Sequence, residues 1–245
     1  MTALLLAGRS RRPLRSLLKD GSGVALIEFA FSMPLVLAIG LYGVETANLA
    51  LMNLRVSQAA LNLADNAARV GMLNANNREE LREIDLNDVL IGAKLQGDSW
   101  QLTKRGRITL SSLEEFNSKQ YIHWQRCIGL KSGADYESHY GTTAVDNGIG
   151  VKTYDRDKKR IDGTEIPGGM GPASSKVTAP ADSGVMFVEI NYEYEPIVSA
   201  RWLPNGSTRI QYTASLIVRD HRIFDQIYNP NPTATRMTCE KFNET

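Results

Sequence analysis

Three histidines, two cysteines and one carboxylate inside an apolar run are the residues of this 245-residue chain whose chemistry depends most on their neighbours. His123, His139 and His221 stand far from one another, without the His-Glu-x-x-His spacing of a zinc site. There is no Gly-x-Ser-x-Gly elbow, and Ser-x-x-Lys occurs only within the first 23 residues. The chain therefore reads as non-catalytic, with no metal and no cofactor, and His123 reads as polar decoration on the outer face of a strand. Asp155, Asp157, Asp162 and Gly163 approach the spacing of a calcium loop, but Arg156, Lys158, Lys159 and Arg160 intervene and repel a divalent ion. Gly168-Gly169-Met170-Gly171-Pro172 is turn material and lacks the lysine of a phosphate loop. Cys127 and Cys239 would pair in an oxidising compartment and tie the tail around Pro230 and Pro232 back to the rest. Their spacing leaves two unpaired thiols as the alternative.

Glu28 is the one charge among residues 24–44. About 20 apolar residues at 1.5 Å rise cross the hydrocarbon core of a bilayer. Pro34 lies inside the run and removes a hydrogen bond to the carbonyl of Ala30, a kink that membrane helices tolerate better than soluble ones. Arg9, Arg11, Arg12, Arg15 and Lys19 precede the run against one acid, Asp20. The positive-inside rule then leaves the N-terminus in the cytoplasm and the remainder outside. A secretory signal cut after the apolar run is the competing reading. No small-residue cleavage site follows the run, and helical patterning continues past Glu45. An ionisable group in such a segment is costly and points to a partner.

The stretch Gly23-Val24-Ala25-Leu26-Ile27-Glu28-Phe29 resembles the prepilin-peptidase site of type IV pilins and pseudopilins. With Glu28-Phe29, Pro34 and a second acid, Glu45, at the far end of the span, it is most similar to TadE-like minor pilins of tight-adherence pilus systems. The resemblance covers roughly residues 15–70. It implies cleavage between Gly23 and Val24 by a prepilin peptidase, leaving Glu28 as the fifth residue of the mature chain. It also implies that Glu28 pairs with the N-terminal amine of a neighbouring subunit during assembly. The partners it implies are the bacterial inner membrane, the peptidase, other pilins and the assembly platform. The implied location is a single pass with the C-terminal domain in the periplasm, or outside the cell within a pilus.

These residues need elements to hold them. Residues 1–23 read as a basic leader. Without it, the 28 basic and 27 acidic residues become 23 and 26, so the exported part is mildly acidic and not a basic nucleic-acid binder. Beyond Glu45, residues Leu49, Met52, Val56, Ala59, Leu63, Ala67 and Val70 recur every three or four, with Asn48, Asn53, Arg55, Asn62, Asp65 and Arg69 on the other faces. That predicts an amphipathic continuation over residues 45–71, capped by Gly71, and one helix about 70 Å long. Gly43 and Ala47 form a small-xxx-small pair that allows close helix packing. Residues 78–86 suit a short helix, and residues 88–97 suit either helix or strand.

Four segments alternate with period two: 107–113, 121–128, 185–195 and 209–219. In the second, Ile122, Trp124 and Ile128 share a face, with His123 and Gln125 opposite. In the third, Met186, Val188, Ile190, Tyr192 and Tyr194 alternate with Phe187, Glu189, Asn191, Glu193 and Glu195. The prediction is an α+β unit, a long helix on an antiparallel sheet of about four strands with one face buried and one wet. Residues 129–184 read as a long flexible loop. The function expected is that of a pseudopilin; the alternative is a single-pass periplasmic binding or enzymatic domain whose helix only anchors it.

Overall fold

A computed structural model describes residues 22–143, 163–181, 183–203, 208–220, 222, 224 and 226–244. The proposed calcium loop at residues 155–162 and the basic leader up to residue 21 lie outside the described residues. Helix α1 (Ser22–Arg69) continues through Pro34. Two short strands follow, β1 (Met72–Leu73) and β2 (Glu79–Glu80), then α2 (Glu83–Gly97), a 3-10 turn (Asp98–Trp100) and the single-turn helix α3 (Leu102–Arg105). The sheet is built from β3 (Gly106–Phe116), β4 (Lys119–Ile128), β5 (Thr164–Glu165), β6 (Gly184–Glu193) and β7 (Arg209–Ile217). Its order is β5-β4-β3-β6-β7, antiparallel throughout. The fold is α+β, and the four expected strands form its body, with the two-residue β5 as an added edge.

The outer half of α1 lies on β6, β7 and α2. Its buried residues Met52, Val56, Ala59, Ala60, Leu63, Ala64, Ala67 and Ala68 share one core with Ile108, Leu110, Trp124, Ile128, Met186, Val188 and Ile190. Small residues dominate the helix side, so the backbone sits close to the sheet. The helix does not end on a glycine cap, since Gly71 is not in the left-handed region. Instead the buried Arg222 donates to the carbonyls of Ala67 at 3.1 Å and Val70 at 2.6 Å. A cation there satisfies last-turn carbonyls and complements the helix dipole.

Only residues 83–86 of the expected 78–86 helix are helical; residues 78–82 are not. Asn74 Oδ1 accepts from the backbone N–H of Asn76 and Arg78, closing a turn that pairs Met72 with Glu80. The helix starts five residues later than the pattern suggested. There the Asp85 carboxylate accepts from the Arg82 backbone N–H at 3.1 Å and from its guanidinium. Residues 88–97 fall inside it.

The expectation of one wet sheet face is overturned. Among residues facing away from the main core, Thr109, Ser111, Gln125, Glu189 and Asn191 are all buried. The described parts of the 129–184 connection, residues 129–143 and 163–181, fold over them. Gln125 donates to Gly141 O and accepts from the Thr143 N–H. Met170 and Val177 pair as an antiparallel bridge, and Met170 joins Leu113, Ile122, Val185 and Phe187 in a second small core. Strict alternation also fails in β4. Ser111 faces Gln125, but Leu113 faces Ile122, so one extra residue sits in β4. That bulge sends Ile122 into the second core while Trp124 and Ile128 remain in the first. His123, expected outside, is 2% exposed, with Nδ1 3.0 Å from Glu114 Oε1.

Cys127 and Cys239 form a disulfide, with Cα atoms 4.7 Å apart. The tail follows the free edge of β4, where Cys127 N–H donates to Met237 O and Gly129 N–H to Asn243 O, both at 2.8 Å. Gly129 has φ +129, and a Cβ there would meet the Gly106 carbonyl at 2.4 Å, so the close approach of the end of β4 to the start of β3 requires glycine. Arg107, buried beneath, donates to the carbonyls of Gly129, Cys239 and Lys241, and its guanidinium stacks 4.2 Å from the Phe242 ring.

Candidate functional site

The residues singled out by sequence fall along α1. Gly23 lies in its first turn, with open space around the position of a Cβ. First-turn N–H groups have no intrahelical partner, so the chain opens there at the lowest cost. Glu28 and Phe29 are exposed, as is every residue from 24 to 44. A helix long and apolar enough to span a membrane thus leaves the domain without contact to the sheet over that length. Gly40 and Gly43 also face open space.

Glu45 differs from everything below it. It is 1% exposed. The Tyr194 hydroxyl donates to Oε1 at 2.6 Å, and the Val198 backbone N–H donates to Oε2 at 2.7 Å. Asn48, one turn up, donates to the Tyr194 oxygen at 2.7 Å. Burial, then the neighbouring Glu45, pushes the Tyr194 hydroxyl up to about 12, so it stays protonated and donates. This node joins the top of the apolar run to the end of β6. Sequence pattern marked Glu45 as a second acid at the membrane end and Tyr194 as the last core-facing residue of its strand. Nothing in the spacing joined residues 149 apart.

The sheet's polar face contains a second constellation that sequence reasoning missed. Glu189 accepts from the His139 N–H and Nδ1, Ser138 Oγ, Asn191 Nδ2 and Gln211 Nε2, at 2.8–3.2 Å. The donors come from the covering segment, from β6 and from β7, so one buried carboxylate holds the cover down. Beside it a cavity of about 240 Å³ is lined by Arg107, Thr109, Gln125, the disulfide, Thr143 and Glu240. Elsewhere Arg126 and Glu83 form a fully buried ion pair between β4 and the first turn of α2. Among the described residues no cluster of histidine, cysteine and carboxylate side chains is arranged to hold a metal.

Comparisons with protein-family models, curated proteins and solved structures returned no match to this chain.

Proposed function

We propose that the chain is a membrane-anchored pseudopilin similar to TadE, a structural subunit of a tight-adherence pilus machine that is substrate and building block rather than enzyme. A prepilin peptidase cuts between Gly23 and Val24, the helix is released into the bilayer among other pilin helices, and Glu28 meets the terminal amine of a neighbour. Above the membrane Leu51, Leu54 and Leu61 are about half exposed, on the side of α1 turned away from its buried stripe. This apolar strip is the single observation that most favours the reading. A helix serving only as an anchor has no need of exposed leucines where it runs through water, whereas a helix that packs beside its own kind does.

The test is Glu28→Gln in cells. Pilus assembly is expected to fail while the chain still accumulates in the membrane. Unchanged assembly would overturn the role of Glu28. The cavity beside the disulfide favours a second reading, an anchored periplasmic binding domain. On that reading Glu28→Gln leaves function intact.

A further inference from the structure

Above residue 193 the chain leaves the sheet and returns toward α1. The Val198 N–H reaches Glu45, so this segment lies at the height where the apolar run ends. It then turns through Ala200–Trp202. Arg201 and Trp202 form one wall of an open groove of about 480 Å³ whose other wall is Ala38, Ile39 and Tyr42. Ala38 is seven residues below Glu45, about 10 Å down the helix axis. Residues 24–44 together span about 30 Å, the full thickness of a hydrocarbon core. With the span in a bilayer, the groove opens at the outer membrane surface and its floor descends into the acyl region.

We propose that this groove seats an outer-leaflet phospholipid, its acyl chain along Ala38 and Ile39 and its phosphate at Arg201. The residue types match that depth. Tryptophan and tyrosine concentrate at membrane interfaces, where an apolar ring meets a polar edge, and Trp202 and Tyr42 both line the groove. Arg201 is exposed and binds phosphate through a planar fork of donors. Ile197, 63% exposed on the same segment, adds an apolar anchor. A second copy's apolar helix in the groove would cover the Arg201 guanidinium without giving it an acceptor, whereas a lipid phosphate supplies one. The inference rests on the membrane-spanning reading of residues 24–44 and not on pilus assembly.

The full chain is placed, one copy per disc, in nanodiscs of phosphatidylglycerol and phosphatidylethanolamine brominated either near the top or near the end of the acyl chain. Trp100 and Trp124 are buried in the domain core, so the difference between the wild type and Trp202→Phe isolates Trp202. Shallow bromines are expected to quench the Trp202 share of the emission more than deep ones. Leu35→Trp in the Trp202→Phe background reports on the span and is expected to be quenched by deep bromines. Quenching at residue 35 without quenching at Trp202 overturns the lipid site and leaves the anchor standing. Quenching at neither overturns both. Trp202 quenching that disappears when several copies share a disc assigns the groove to a second copy and overturns the proposal. Arg201→Gln is expected to abolish enrichment of phosphatidylglycerol among lipids that stay with the protein after detergent extraction, and unchanged enrichment contradicts the phosphate contact.

Discussion

The Tyr194 hydroxyl donates a 2.6 Å hydrogen bond to Glu45 Oε1, joining the end of β6 to the first buried residue above the apolar run. The bond couples the direction of the apolar half of α1 to the sheet. Below it α1 touches nothing in the sheet, and above it the helix is core.

Breaking that node loosens the domain from its helix. Tyr194→Phe leaves Glu45 with the Val198 N–H alone, and Glu45→Ala leaves Tyr194 and Val198 without their acceptor. Each is expected to cost about 1–3 kcal/mol of stability. The double substitution is expected to cost less than the sum of the two, because both remove the same bond. Denaturant melts of the full chain in detergent, read as a double-mutant cycle, check this.

The same tyrosine sets an alkaline limit. Its folded-state value, about 12, lies above the ordinary tyrosine value of 10. A raised value means that the folded state disfavours the charged form. The contribution is therefore complete below about pH 10 and is lost as pH rises toward 12. Stability against pH should fall more steeply over that window in the wild type than in Tyr194→Phe. Equal slopes would remove Tyr194 as the cause.

The buried Arg126–Glu83 pair is expected to behave asymmetrically. Glu83→Ala removes the buried carboxylate that neutralises the Arg126 guanidinium and should cost about 3–5 kcal/mol. Glu83→Leu combined with Arg126→Met removes both charges and should recover most of that loss. Thermal melts of the three variants decide it, and a double variant as unstable as Glu83→Ala would contradict this account.

The disulfide closes a separation of 112 residues. Loop-closure arithmetic gives an upper bound of about 4–5 kcal/mol for its effect through the unfolded chain. Cys127→Ser with Cys239→Ser should lower stability within that bound. It should also speed exchange of the Cys127 and Gly129 amide protons, which bond the tail, more than that of the β3–β6 ladder.

Much of the fold was legible because periodicity reports burial directly. The alternation at Met186, Val188, Ile190, Tyr192 and Tyr194, and the helical stripe from Met52 to Ala67, each name one face of one element, and those faces form the core. The misreadings have a common physical origin. Polar residues alternating along a strand read as facing water, yet Glu189 and Gln125 are buried under a segment whose own donors satisfy them. His123 was misplaced because one bulged residue in β4 reverses the alternation, and a bulge leaves no mark in composition. The start of α2 was missed because an Asn74 turn and an Arg82–Asp85 cap outweigh local helix propensity. The Glu45–Tyr194 node was invisible because its partners meet only through the tertiary fold.

The central claim, that the chain is processed as a pilin, is tested most directly at its N-terminus. Intact mass and N-terminal peptide mapping would be carried out on protein from cells with and without their prepilin peptidase. The account predicts a mature chain beginning at Val24 when the peptidase is present and an uncut chain when it is absent. A chain that stays uncut in both, or that begins near residue 50, would contradict it.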